Sequence, residues 1–442
     1  MPRNSERRDR RRRWPGVTAA ILAAALVLGA GVYVPVALLT PLEPTAPVVT
    51  AVTPDEPPAA DLMFAGYGAT AVGAVGFDGV LASSGIETPL PIASISKVVT
   101  ALVVLDAHPL AAGESGPDVT MTPADVALYD QYLGVGGKVE PVRAGFVFSQ
   151  RDLLELTLVS SANNYADALA IWAFGSREAF VTAAADWLQR SGFAQTTIVE
   201  PTGLSPLNVS TATELVRLGT MALANPTVAE TVAMPTAPVA NIGEIENSNE
   251  LLGIDGIDGI KTGTLDAAGA CLLFAADYTV PRDTGVADAD AGTDSVGSDP
   301  ASSDSADAGA DTVTVVGVML GGADHDSLNV DVQRLLDGVA DGFQRVQLAD
   351  RGEAFATYRT EWNDSASAVA AADASTLVWS DPEIAVDVTV ESLGEAREGA
   401  PVGTATFVVD GEVISIDLVL DEALGDPGAW WRIGDFARFL EE

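Results

Sequence analysis

The chain has 442 residues, 48% of them apolar, and a formal charge of −39. That length exceeds what one growing hydrophobic core supports, so two folded units with tails are expected. Residues 1–13 hold seven Arg against Glu6 and Asp9, so the remainder carries −44, a surface that repels phosphate backbones and excludes nucleic acid as a partner.

The basic tail 1–13 leads into an uncharged apolar run, 14–39, long enough to span a bilayer as one helix. Arg10 to Arg13 should stay in the cytoplasm, which places everything after the run outside the cell membrane. A cleaved signal peptide is the competing reading. Its apolar stretch is usually shorter and no small-x-small site follows, so an uncleaved, single-pass anchor is expected. Six prolines between Pro41 and Pro58 make 40–60 a stiff, extended linker.

The first folded unit is expected over 61–347. Segments 67–76 and 80–84, separated by Asp78-Gly79, read as a hairpin. An apolar helix follows over 94–107, and helical patterns recur at 150–160, 163–174, 177–191 and 212–224. Strand patterns return at 257–265, 270–280 and 312–322, and a helix near 330–344 closes the unit. Strands at both ends with helices between them predict an α/β sandwich whose sheet is completed by the late strands. Residues 283–311 are almost wholly Asp, Ala, Gly, Ser and Thr, with no aromatic side chain. They cannot bury enough apolar area to offset their ordering entropy and read as a disordered acidic insertion. A small β-domain is expected over 348–426, from alternation at 385–393, 403–409 and 413–420 with Asp410-Gly411 as a hairpin turn. The tail 427–442, with Trp430 and Trp431, is expected to pack on that domain.

Cys271 is the only cysteine, so an intrachain disulfide and a thiol metal site are impossible; a packed strand thiol is expected. His108 and His325 are too few for a histidine metal centre, and neither sits in a motif that supports a Ser-His-Asp triad. No metal and no cofactor are expected.

Arginine outnumbers lysine twenty to three. Where a generic positive charge suffices this chain uses Arg, so a retained Lys invites a special reason: lysine can lose its proton when desolvated, and arginine effectively cannot. In Ser94-Ile95-Ser96-Lys97 the spacing puts Ser94 and Lys97 one helical turn apart, so the amine can take the hydroxyl proton and make Ser94 a nucleophile. Alone, the pair also suits a serine cap beside a surface lysine, but the apolar residues after it imply a buried helix. Lys261-Thr262-Gly263-Thr264 ends a predicted strand. Its glycine allows a close backbone approach, and the hydroxyls of Thr262 and Thr264 with the Lys261 ammonium suit a terminal carboxylate. Ser161-Ala162-Asn163 lies between two helices; Ser161 can relay protons and Asn163 can hold a peptide carbonyl, although alone the triplet reads more simply as a helix cap.

Together and in this order, the three motifs form the set of class A β-lactamases and penicillin-binding proteins. With Pro91-Ile92-Ala93 before Ser94, Pro201-Thr202-Gly203-Leu204 and Asp258-Gly259-Ile260 before Lys261, the chain resembles the D-alanyl-D-alanine carboxypeptidases of the low-molecular-mass penicillin-binding proteins, serine peptidase family S11. The resemblance covers roughly 61–346 and, less specifically, the C-terminal β-domain. It implies a β-lactamase/transpeptidase-like sandwich, an antiparallel sheet with helices on both faces plus a helical subdomain. It also implies an acyl-enzyme on Ser94 with Lys97 as base, an oxyanion hole from the Ser94 and Thr264 N–H groups, and peptidoglycan stem peptides and β-lactams as partners. Lys97 is then expected to be neutral at rest, through burial and nearby Lys261. Two features depart from the family: the acidic insertion, and residues 323–328, which lack the arginine that often binds the substrate carboxylate and offer only His325. A D,D-endopeptidase therefore stands beside the carboxypeptidase reading. A β-lactamase lacks its expected Glu-x-x-Leu-Asn loop, and a non-catalytic wall-binding scaffold leaves the intact serine and lysines unexplained.

Overall fold

The computed structural model describes residues 14–50, 52–281 and 310–435. The basic tail, positions 283–309 of the acidic insertion and the end of the C-terminal tail lie outside the described residues. Ala310 and Asp311, assigned to the insertion on composition, instead begin the strand Ala310–Gly322, where they pair with Pro281 and Val280. The strand's apolar core carries its ladder outward through these small polar residues.

One compact unit comprises residues 59–344. Its sheet has five antiparallel strands in the order Ile257–Leu265, Gly269–Pro281, Ala310–Gly322, Ala69–Ala74 and Ala82–Gly85. The strand Gly269–Pro281 is buried continuously from Ala270 to Ala276, as expected for a strand covered on both faces. Alternation divides it. Cys271, Leu273 and Ala275 join a core with the helices Ser96–Ala107 and Ala212–Ala224. Tyr278, on the opposite parity with Leu272, Phe274 and Ala276, donates to the Leu336 carbonyl of the helix His325–Gly342. That helix starts five residues before the expected Val330, because the Asp324 side chain accepts from the Ser327 N–H and caps it. Cys271 is buried as expected, which pushes its thiol up to about 11.

Between the second and third strands in sequence lie the remaining helices, among them Gln150–Leu158, Asn163–Phe174 and Arg177–Arg190. Two were not expected. Pro123–Gly134 buries only Tyr132 and so carries no apolar stripe, although Thr122 and Asp125 form a capping box ahead of it. Pro226–Val232 is a short helix capped by Asn225.

The other compact unit joins residues up to 58 with those from 345 onward. Its antiparallel sheet runs Val48–Val49, Ala354–Arg359, Ser365–Ala370, Glu412–Leu420, Pro401–Val409 and Ile384–Val390, over a core that includes Phe355, Tyr358 and Phe407. Ala354–Arg359 and Ser365–Ala370 were not foreseen, because small side chains blur their alternation. Part of the proline-rich segment is not a free spacer: Val48 and Val49 pair with Thr357 and Ala356, and Thr45 bridges to Leu393. Extended chain between prolines presents free backbone groups that extend an exposed sheet edge. The helix Trp14–Leu39 is long and apolar enough to cross a membrane. The short helix Ala429–Gly434 stays within this unit, with Trp431 edge-on to Trp362 and Arg432 bonded to Asp426.

Candidate active site

Ser94 sits on a turn of 3-10 helix, Ala93–Ile95, that runs into the helix Ser96–Ala107. The turn is tight: Ala93 has φ 45°, in the left-handed region. Two glycines let neighbours close on it. A Cβ on Gly203 would lie 2.0 Å from the Ala93 carbonyl oxygen, at a φ of +90° that favours glycine anyway. A Cβ on Gly263 would lie 3.2 Å from the Ser94 nitrogen, so the edge strand Ile257–Leu265 runs directly beside the half-buried serine.

Lys97 is fully buried, and its Nζ has three partners: Ser94 Oγ at 2.8 Å, Asn163 Oδ1 at 2.7 Å and the Thr202 carbonyl at 2.7 Å. Two of these can only accept. A neutral amine must therefore spend its two hydrogens on Asn163 and Thr202, leaving its lone pair facing the Ser94 hydroxyl; an ammonium fills all three contacts. Burial brings Lys97 down to about 7, with Glu200 opposing and Lys138 assisting. The assisting cation is thus Lys138, not Lys261 as the sequence suggested. Lys261 is itself pushed well below its usual range by burial first and then by Lys97 and Lys138.

The loop that supplies Thr202 is built by Glu200. Its carboxylate accepts from the Thr202 N–H and hydroxyl, the Gly203 and Ser205 N–H groups and the Asn208 amide. Asn208 also donates to Ser96 Oγ, and Thr100 donates to the Pro201 carbonyl, which fixes the loop on the nucleophile helix. Five donors occupy Glu200, so it is a loop organiser and not a poised base for hydrolysing a β-lactam ester.

On the strand side, Lys261 is 1% exposed, and its Nζ donates to Ser248 Oγ at 3.0 Å. Ser248 and Thr262 hydroxyls share a 2.7 Å hydrogen bond. Thr264 Oγ1 lies 2.7 Å from His325 Nε2. Burial lowers His325 from its usual range, which argues against a fixed cation there.

The structure brings together Ser94, Lys97, Asn163, Gly263 and Thr264 from three segments of chain, and places Lys261 and Thr262 on the same strand as the last two. Ser161, at φ 61° between two helices, makes no side-chain hydrogen bond among the described residues, so the expected relay is not formed directly. Sequence reasoning missed Thr202, Glu200, Asn208, Ser248 and Lys138. The segment 201–204 carries a family likeness that assigns it no role, and Ser248 carries no local signal.

A family model described as D-alanyl-D-alanine carboxypeptidase, peptidase S11, matches residues 76–283. A D-alanyl-D-alanine endopeptidase of Escherichia coli K12 is 36% identical over 192 residues, 42% of this chain and 58% of that protein. One from Pseudomonas aeruginosa is 35% identical over 238 residues, 51% of this chain and 73% of that one. In structure, penicillin binding protein 5 from Haemophilus influenzae superposes with a TM-score of 0.53 at 18% identity, covering 85% of this chain and all of the other, a likeness of fold. With a match to the Pseudomonas enzyme across nearly three quarters of its length and the three motifs meeting around one serine, the chain belongs to the S11 family of serine-type D-alanyl-D-alanine peptidases.

Proposed function

We propose that this protein cleaves peptidoglycan stem peptides after D-alanine through an ester on Ser94. The carrying observation is the Lys97 amine, held by Asn163 and Thr202 with its remaining valence on the Ser94 hydroxyl. In this reading Lys97 Nζ takes the Ser94 proton as Oγ attacks the D-alanine carbonyl. The Ser94 and Thr264 N–H groups hold the oxyanion. The C–N bond then breaks and the leaving amine takes up the proton from Lys97. Water afterwards hydrolyses the ester and releases the shortened peptide. Asn163 Oδ1 is committed to Lys97, which leaves its amide N–H groups for a carbonyl upstream of the D-alanine. The substrate lies along the open edge of Ile257–Leu265, with Lys261, Thr262, Gly263 and Thr264 beside its leaving group.

The leaving-group side favours an endopeptidase over the carboxypeptidase expected from sequence. A strict carboxypeptidase needs a fixed cation for the free terminal carboxylate. Here that position holds His325, lowered in pKa and bonded to Thr264. Hydroxyls and a neutral imidazole accept an amide as readily as a carboxylate, so cross-linked stems fit. The helix Trp14–Leu39 serves as an uncleaved anchor and holds the enzyme at the outer face of the cell membrane.

Fluorescent penicillin tests the nucleophile: stable labelling that disappears in Ser94→Ala supports it, and no labelling of the wild type sinks it. Mass spectrometry of muropeptides digested with the purified protein separates the specificities. Loss of cross-linked dimers with little release of terminal D-alanine is the expected pattern.

A further inference from the structure

Behind Asn163 lies a buried ionic cluster that the proposed chemistry does not use. Asp167 follows Asn163 by one turn on the same side of the helix Asn163–Phe174 and is fully buried. Arg177, the first residue of the helix Arg177–Arg190, engages both of its oxygens: Nε donates to Oδ1 at 3.1 Å, and an Nη group donates to Oδ2. Oδ2 also accepts the Tyr132 hydroxyl at 2.8 Å. A carboxylate this deep needs a cation beside it and donors on both oxygens, and the cluster supplies them. Burial and then the Asp167 charge push the Tyr132 phenol above its ordinary range, so it stays a donor.

Tyr132 is where this cluster reaches the cleft. It is the single buried residue of the helix Pro123–Gly134. Its own carbonyl accepts the N–H groups of Val135 at 3.3 Å and Gly137 at 2.8 Å, so the segment 133–137 hangs from it. Apolar burial does little to hold that segment: Leu133 is 55% and Val135 68% exposed, and Gly134, Gly136 and Gly137 leave its backbone free. Yet it closes tightly on the proposed carbonyl clamp. A Cβ on Gly137 would lie 2.7 Å from Asn163 Nδ2 and 3.2 Å from the Tyr132 carbonyl oxygen. The far end of the loop has its own ties, from the Asn163 N–H to the Lys138 carbonyl, between Asn164 and the Glu140 backbone, and from Tyr165 to the Pro141 carbonyl. The near end has the Tyr132 hydroxyl.

We propose that Tyr132 is a positioning residue for the carbonyl clamp. Its bond to the Asp167–Arg177 pair presses the wall 133–137 against the Asn163 amide and fixes the direction of the N–H groups that receive the substrate. Asn163 is then held from two sides, by Lys97 at Oδ1 and by the wall at Nδ2. The inference rests on the proposed function and adds to it the device that aims the clamp.

The experiment compares two acyl-D-alanyl-D-alanine substrates that differ in one group. The amide preceding the first D-alanine is intact in one and replaced by a trans-alkene in the other, which keeps the shape and removes the carbonyl. Full-length protein in detergent is assayed for kcat and KM on each, and fluorescent penicillin bound at saturation counts the active enzyme. The readout is the ratio of the two kcat/KM values, which a general loss of folded protein leaves alone. We expect the wild type to favour the amide by about tenfold, the size of one well-made hydrogen bond. Tyr132→Phe keeps the buried ring and removes only the hydroxyl; it should cut that preference to about twofold, mainly through a higher KM for the amide. Asp167→Asn keeps an acceptor for Tyr132 but loses the ion pair, so thermal stability should fall while most of the preference survives. A wild-type preference carried unchanged into Tyr132→Phe overturns the proposal and leaves the parent function standing. A wild-type ratio of one removes the clamp and the positioning role together. Absence of penicillin labelling in the wild type removes the nucleophile as well.

Discussion

The two buried lysines of the cleft face opposite needs. Lys97 is enclosed by a fixed set of acceptors, with the Glu200 carboxylate close enough to hold back the fall of its pKa. Lys261 has only hydroxyls, Ser248 at 3.0 Å and Thr262 at 3.5 Å, and two neighbouring cations that push its proton off. The first environment keeps both protonation states accessible near neutral pH, which suits a group that gives and takes a proton within one turnover. The second leaves an ammonium undersupplied with negative charge until an anion or a polarised carbonyl arrives. One lysine is complete without substrate and the other is completed by it.

The comparison breaks most sharply at Lys97. Replacing it with Met keeps the volume but removes the base, and acylation by penicillin should fall by about 10³-fold, within the span of general-base effects. In the wild type the acylation rate should rise with pH through a single ionisation near 7, because deprotonation creates the base. Glu200→Gln removes the charge that raises the Lys97 pKa and should move that limb to lower pH. A limb that stays in place in this variant, with labelling retained, would show that Glu200 shapes the loop without tuning the amine.

Next in size is Gly203→Ala. The new methyl meets the Ala93 carbonyl at 2.0 Å and the Ser94 nitrogen at 2.8 Å, in a backbone conformation that L side chains rarely adopt. The turn or the loop must move, so we expect more than about 2 kcal/mol of lost stability together with slower acylation. Thermal unfolding and penicillin labelling read the two effects separately. A variant as stable and as fast as the wild type would mean that the loop does not clamp the nucleophile turn.

Much of this was legible in the sequence, and what was missed shares a physical cause. Ser94, Lys97, Asn163 and the 261–264 run sit in short motifs where spacing along one element fixes the chemistry. The long helices and the buried strands announced themselves by apolar periodicity. Ser248 and Lys138 act across chain separations of 13 and more than 20 residues, from loops with no periodic signal of their own. The helix Pro123–Gly134 hides for a related reason: it fully buries only Tyr132, and only its cap marks it. The early start of His325–Gly342 matters more. Capping by Asp324 is what carries His325 onto the edge strand, and the expected boundary at 330 would have left that histidine in a loop with no partner.

On the Lys261 side the expected effects are smaller. Ser248→Ala removes the nearest hydroxyl and frees Thr262 Oγ1 from its 2.7 Å partner. The loss of one hydrogen bond to a charged group is about 1.5–3 kcal/mol, so kcat/KM on peptides should drop by about tenfold to a hundredfold. Because Lys97 is untouched, the pH at which acylation turns on should not move. A shifted limb would mean that the two lysines are coupled through Ser248 and do not have separable roles.

The smallest effect distinguishes the two specificities. His325→Arg places a permanent cation against Thr264, where the neutral imidazole now sits. A free terminal carboxylate gains a charged partner there, while the amide of a cross-linked stem gains nothing and loses room. The position is half-exposed, so solvent screening limits the gain to about 1 kcal/mol. The ratio of terminal D-alanine release to cross-link cleavage should therefore rise by about threefold to fivefold, without a change in penicillin labelling at saturation. An imidazole that already served as a cation would make this substitution nearly silent. The pH dependence of the same ratio in the wild type tests that from the other direction. Lowering the pH charges His325, so carboxypeptidase action should gain on endopeptidase action only below the usual histidine range, since burial shifts this group downward.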